Sequence, residues 1–324
     1  MGSTTAHSLI FASPESEPED DRLADFPYWE NITQRRYEGP SVIYLGAGWA
    51  LTAHHVGVGE VILEGKIFAA NYQSRHTLLN VNGTGADAIV FQIDSDADLP
   101  DLPILPLARV APRPGEEVTV IGFGREREKV IEWHDDDNKT QFGFEWSEAG
   151  KKRWGTNRIV SNNAILIQQN KSTHAVTFVF DPPNSEETTL HEASAAVGDS
   201  GGAVFVERDG EWLLVGMMTS ISAKSATPGH STAYGDTTFA ADISFYRSEI
   251  LLWARPKCAN EEDDDGDGKI DFPLDPGCSA PGDSDERSAD SIARRIGIVW
   301  TLALVGSCAL GVVMFWLLRT NKQL

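Results

Sequence analysis

The sequence predicts an all-β protein with barrel closure. Two observations carry that prediction. The apolar segments are short and separated by frequent turn signals, and no long amphipathic helical pattern interrupts them before Ile243–Ala254. Residues 41–45 are β-branched and aromatic, and Gly46-Ala47-Gly48 punctuates them before the run 49–53. Residues 61–63 and 66–70 flank Glu64-Gly65, a hairpin signal. Residues 88–93 are a short apolar run of the kind that makes a buried strand. Residues 105–115 read as a connection, and 117–124 as a strand ending in Gly122-Phe123-Gly124. Residues 178–180 followed by Pro182-Pro183 read as a strand and its stop. Residues 203–206 and 212–218, joined by Asp209-Gly210, form a second hairpin. In 243–254 the residues Ile243, Tyr246, Ile250 and Trp253 recur at helical spacing.

Two stretches fall outside this pattern. Residues 1–40 form an N-terminal lead or propeptide-like segment, acidic between 15 and 21. Residues 1–24 hold no basic stretch and no apolar run of seven, so no signal peptide is recognised. Residues 125–157 are rich in charge and contain Trp133, Trp146 and Trp154. They read as a surface loop with local aromatic packing, the alternative being a substrate-binding exosite.

The 324 residues, 41% of them hydrophobic, allow one large domain with appendages. A formal charge of −21 argues against a nucleic-acid partner. The three cysteines, Cys258, Cys278 and Cys308, all lie beyond residue 256. A domain of residues 41–256 is large enough to fold without disulfides.

Chemistry concentrates in three places. Gly198-Asp199-Ser200-Gly201-Gly202 puts a serine on a loop of small residues, where a substrate backbone can come close and backbone N–H groups can face a developing oxyanion. Upstream lie Trp49-Ala50-Leu51-Thr52-Ala53-His54-His55 and Ala86-Asp87-Ala88-Ile89-Val90. Together, in the order His, Asp, Ser, the three stretches resemble the trypsin/chymotrypsin-like serine endopeptidases over about residues 40–255.

The resemblance implies two six-stranded antiparallel β-barrels with a C-terminal helix and a catalytic cleft between the barrels. Residues 117–124 would open the second barrel. His55 would be the general base, with His54 the other candidate. Asp87 would orient it, Ser200 would be the nucleophile, and the N–H groups of Gly198 and Ser200 would form the oxyanion hole. Asp199 would pair with an amino terminus freed by cleavage, and Ile10-Phe11 lies at about the right distance upstream. Ser194, Thr219 and Ile221 would form the specificity pocket, suited to small or medium uncharged side chains. Val56 follows His55 where animal members have cysteine, which points to a bacterial type. The implied activity is hydrolysis of polypeptide substrates through an acyl-enzyme, with no cofactor for catalysis. The alternative is a catalytically silent protease-like protein that binds peptides or partners.

After Arg255-Pro256 the composition turns acidic. Asp263, Asp265, Asp267 and Asp271 fit alternating positions of a Ca²⁺ loop, with Gly268 at the sharp turn and the Lys269 carbonyl as a further ligand. Leu274 stands where an EF-hand has Glu, so the segment 257–280 resembles instead the short calcium loops of thrombospondin type 3 repeats. Cys258 and Cys278 bracket it and are expected to form a disulfide, which implies an oxidising compartment. Residues 281–295 form a linker. Residues 296–318 are 23 uncharged apolar residues with Trp300 and Trp316 near the ends, long enough for a transmembrane helix. With a short tail at 319–324, these features predict a single-pass membrane anchor with the 41–256 domain outside the cytoplasm.

Overall fold

A computed structural model describes residues 9–287, apart from 37–38, 95–97, 136, 148–149 and 224–226. The chain divides into two compact units, Met1–Ala254 and Arg255–Leu324.

The first unit is built from strands β1 (Ile10–Phe11), β2 (Ile32–Gln34), β3 (Ser41–Gly46), β4 (Trp49–Thr52), β5 (Val61–Leu63), β6 (Lys66–Phe68), β7 (Ala70–Leu79) and β8 (Gly85–Ile93). They are followed by β9 (Glu117–Gly122), β10 (Arg127–His134), β11 (Thr140–Trp146), β12 (Arg153–Gln168), β13 (Lys171–Val179), β14 (Ala193–Ser194), β15 (Ala203–Arg208), β16 (Glu211–Ser222), β17 (Ser231–Ala233) and β18 (Thr237–Asp242). One helix, α1 (Ile243–Ala254), ends the unit.

The C-terminal half closes as a six-stranded barrel in the order β12-β13-β18-β16-β15-β9. Its alternating strands send Val118, Val120, Val176, Phe178, Val204 and Val215 into one buried cluster. The opposite faces send Ile121, Ala203, Phe205, Leu214 and Met217 into a second cluster, shared with Ile43, Leu45, Leu51, Ala88 and Val90 of the N-terminal half. That shared core holds the two halves together.

The N-terminal half departs from the expected second closed barrel. It is a five-stranded sheet, β2-β3-β4-β8-β7, beside a separate hairpin of β5 and β6. The strands that would meet to close it, β2 and β5, are three residues each. The Thr33 hydroxyl donates to the Ile62 carbonyl across that gap, so a side chain stands where a backbone ladder would be.

Turn chemistry explains the hairpins. Glu64-Gly65 and Asp209-Gly210 both have positive φ at both central residues, the primed turn whose twist matches the flanking strands. The helix starts where the Asp242 carboxylate accepts from the Ser244 and Phe245 N–H groups. It buries Ile243, Tyr246, Ile250 and Ala254. Trp253, expected on that face, is 40% exposed and stacks on His76 at 3.7 Å between ring centroids.

The lead is corrected: residues 9–36 belong to the first unit. Leu9, Ile10, Phe11, Phe26, Trp29 and Ile32 are buried, β1 pairs with β14, and β2 joins the five-stranded sheet. The acidic stretch is anchored by charge. Arg153, 1% exposed, donates to Glu17 at 2.7 Å and meets Asp21 at 3.2 Å, and Lys151 meets Asp21 at 2.6 Å. The described part of the 125–157 stretch is built from strands rather than a loop. It holds β10 and β11, which continue onto β17 in a three-stranded sheet. Its three tryptophans go to three places. Trp133 packs on Gly143, Trp146 reaches the cleft, and Trp154 donates to the Asp20 carbonyl at 3.1 Å.

In the second unit, Cys258 and Cys278 are joined by a disulfide. The membrane placement is corrected. Among the described residues no helix is long and apolar enough to cross a membrane, α1 having 12 residues. The apolar run 296–318 and Cys308 lie outside the described residues.

Candidate active site

The ladder between β4 and β8 sets Thr52 opposite Ile89. Continuing that antiparallel register carries the turn after β4, with His54 and His55, alongside the start of β8, with Ala86 and Asp87. His55 Nδ1 lies 2.7 Å from Asp87 Oδ2, and the His55 backbone N–H donates to Asp87 Oδ1 at 2.9 Å. One histidine therefore uses both oxygens of one carboxylate. Asp87 is 5% exposed, and its own N–H donates to Thr173 Oγ1 of β13 at 2.8 Å, which ties the site to the barrel. An ionised carboxylate on Nδ1 fixes the proton there and leaves Nε2 with its lone pair free.

His54 has different surroundings. Arg75 of β7 donates to its Nε2. Burial, then the charges of Lys171 and Arg75, hold its pKa below the ordinary histidine range. The carboxylate bond thus distinguishes His55 from its neighbour.

Ser200 lies in the loop between β14 and β15. Gly201 N–H donates to the Met218 carbonyl and Met218 N–H to the Gly202 carbonyl, both at 2.8 Å, fixing the loop against β16. Ser41 fixes it from the other side. Its N–H and hydroxyl donate to the Gly198 carbonyl at 3.0 and 3.1 Å, while its Oγ accepts from Phe123 N–H. Ser41, fully buried, is a positioning residue absent from the sequence reading. Ser200 Oγ donates to the Thr219 carbonyl at 3.5 Å. Among the described residues the backbone N–H groups of Gly198 and Ser200 make no hydrogen bond.

Asp199 does not meet Ile10. Ile10 is fully buried in β1, paired with Ser194, and the Asp199 carboxylate accepts instead from Gly124 N–H at 2.7 Å and Ala196 N–H at 2.8 Å. Burial pushes its pKa up to about 7, against those two hydrogen bonds. A Cβ on Gly122 would stand 2.0 Å from Asp199 Oδ1, and one on Gly124 would stand 2.3 Å from Oδ2. The two glycines of the Gly122-Phe123-Gly124 stretch are therefore the space the carboxylate occupies.

Two cavities meet at His55 and Ser200. One, of about 310 Å³, is also lined by His54, Asp87, Trp146, Lys171, Ala195, Ala196, Val197, Met218, Thr219 and Ile221. The other, of about 390 Å³, is also lined by Pro40, Phe123, Arg125, Val197 and Gly198. Thr219 and Ile221 line the first of these cavities. Ser194 does not: it is 1% exposed and sits behind the wall, with Thr238 Oγ1 3.4 Å from its hydroxyl. The cleft also includes Gln168, Gln169 and Lys171 from the tip of the β12–β13 hairpin, with Gln168 donating to Ser220 Oγ at 3.1 Å. The positive φ of Gln169 and Asn170 marks a tight turn that two polar residues signal only weakly.

Carboxylate oxygens of Asp263, Asp265 and Asp267 lie within 4.8 Å of one another. Asp271 is corrected. It does not join them, because its two oxygens accept from Asn260 N–H at 3.0 Å and Glu261 N–H at 2.8 Å.

No family model matches the chain, and no curated protein matches it. Among solved structures it is similar to the NS6 protease of murine norovirus 1, at 15% identity over 68% of this chain and 94% of that one, with a TM-score of 0.37. It is similar to Rv3671c of M. tuberculosis H37Rv at 14% identity, over 68% of this chain and 84% of that one, with a TM-score of 0.42. It is also similar to neuropsin, a serine protease of mouse brain, at 16% identity over 70% and 96%, with a TM-score of 0.44. At these identities and TM-scores the likeness decides nothing about the activity of this chain.

Proposed function

We propose that the chain is a serine endopeptidase. The observation that carries this reading is the 2.7 Å bond between His55 Nδ1 and Asp87 Oδ2 in a cleft that His55 shares with Ser200. A serine hydroxyl does not ionise at neutral pH, so attack needs a base that takes its proton as the bond forms. His55 Nε2 is that base. Asp87 holds the tautomer and steadies the imidazolium, and the imidazolium then returns the proton to the leaving amine. The carbonyl oxygen of the tetrahedral intermediate goes to the N–H groups of Gly198 and Ser200, each such donor typically lowering the barrier by about 3 kcal/mol. Water then attacks the acyl-enzyme by the same path. The cleft continues on both sides of His55 and Ser200, which suits cleavage within a chain rather than at its end.

One observation favours the catalytically silent alternative: the Ser200 hydroxyl is directed to the Thr219 carbonyl. At 3.5 Å that bond is weak, and rotation about one side-chain torsion releases the hydroxyl. Hydrolysis of denatured polypeptides by the full chain separates the two. Cleavage that disappears in Ser200→Ala supports the peptidase, and equal fragmentation by both proteins, or none by either, contradicts it.

In the second unit the proposal is a structural Ca²⁺ held by Asp263, Asp265 and Asp267, with the Lys269 carbonyl as a further ligand. Three hard oxygen donors within one small loop suit that ion. Calcium titration followed by thermal unfolding checks it. A concentration-dependent rise in the midpoint, absent in Asp263→Asn with Asp267→Asn, is expected. An unchanged midpoint would remove the ion from the account.

A further inference from the structure

We propose that Lys171, with Arg75 and His54 beside it, makes the cleft selective for polypeptides that carry an acidic side chain close to the scissile bond. The words "scissile bond" rest on the peptidase reading of Ser200; the preference for an acidic partner does not.

In a chain of net charge −21 a cation without an anion beside it stands out. Many basic side chains elsewhere are answered, Arg208 by Glu116, Arg153 by Glu17, Lys129 by Glu145 and Arg158 by Glu117, while Lys66, which has no carboxylate partner among the described residues, is exposed on β6. Among the described residues neither Lys171 nor Arg75 has a carboxylate within ion-pair distance. Lys171 lines the cleft, and Arg75 is hydrogen-bonded to His54, which lines it too.

Lys171 opens β13 at the hairpin tip and lines the cavity with His54, Asp87 and Ser200. A Cβ on Gly85 would stand 2.9 Å from its Nζ. Gly85 lies two residues before Asp87 on β8, hence on the same face of the strand. Asp87, whose two oxygens both accept from His55, makes no ion pair with the ammonium.

Arg75 donates to His54 Nε2, which keeps His54 neutral and places a guanidinium behind it. His54 and Lys171 line the same cavity, and the charges of Lys171 and Arg75 add to burial in lowering the proton affinity of His54. A neutral ligand would leave these charges unanswered. A carboxylate would gain a charge-assisted hydrogen bond, about twice as strong as a neutral one. Ala195, Ala196 and Met218, which also line the cavity, carry no polar side-chain group that would hold an anion. The acidic residue therefore sits against the Lys171 wall, beside the apolar pocket rather than in it.

The test digests a peptide library with the full chain and maps the cut sites by mass spectrometry. Acidic residues are expected to be enriched about tenfold close to the cuts, less so at high salt. Lys171→Glu should abolish the enrichment, while Lys66→Gln, an exposed cation on β6, should leave it unchanged. Cleavage without acidic enrichment overturns the proposal and leaves the peptidase reading intact. In parallel, fluorescence anisotropy compares acidic peptides with their Gln and Asn counterparts on Ser200→Ala. Tighter binding of the acidic set that depends on Lys171 supports the proposal even if no peptide is cut, an outcome that would remove the peptidase reading alone. Equal binding of the two sets overturns it.

Discussion

Asp87 uses both its carboxylate oxygens on the same histidine, His55. Replacing Asp87 by Asn should lower kcat by about 10⁴-fold with little change in KM, because the amide no longer fixes the right tautomer. His54→Ala should keep most of the activity, since Arg75 rather than a carboxylate faces that ring. Steady-state kinetics of the two variants checks both, and the reverse pattern would make His54 the base. A second residue-scale prediction concerns pH. Asp199 and Glu192 are held up at about 7 by burial, against ordinary values of 3.8 and 4.5. The unfolded chain releases these protons near pH 4 and the folded chain near 7, so between them the folded state binds more protons. Their contribution to stability is full below about pH 4 and is lost as pH rises through 7. Asp199→Asn should flatten that part of the dependence in urea unfolding followed across pH 4–8. An unchanged slope would show that Asp199 ionises normally.

Elements whose signals are local were readable in the sequence. Glu64-Gly65 and Asp209-Gly210 dictate their own turns, and the helical spacing of Ile243, Tyr246 and Ile250 needs no distant partner. The approach of His55, Asp87 and Ser200 was readable only as a resemblance, since the β4–β8 register that joins the first two is invisible in either segment alone. What escaped depends on contacts far apart in sequence. The pairing of β1 with β14 joins Ile10 to Ser194, and Ser41 braces Gly198. The acidic run around Glu17 looks like a solvated tail until Arg153 is buried against it. Removing Glu17 and Asp21 takes two carboxylates away from a buried guanidinium. Glu17→Ala with Asp21→Ala is expected to cost about 3 kcal/mol in urea unfolding. A loss below about 0.5 kcal/mol would mean that β1 and the buried apolar residues anchor the lead without the charges.

At the scale of the whole molecule, the chain is two units with different sources of order. The first has several buried apolar clusters and needs no disulfide. In the described part of the second, residues 255–287, acidic side chains dominate and one disulfide closes a loop across 20 positions. Closing a loop of that length stabilises by about 3 kcal/mol in the chain-entropy account. Reductant should therefore loosen residues 255–287, read by hydrogen exchange, and leave peptide hydrolysis by the first unit unchanged. Loss of hydrolysis on reduction would tie the two units together functionally.

The most direct measurement of the central claim is a fluorophosphonate adduct mapped by mass spectrometry on the full chain. The account predicts one adduct, on Ser200, that is absent in Ser200→Ala and strongly slowed in His55→Ala. Absence of any adduct, or an adduct on another serine that survives both substitutions, would contradict it.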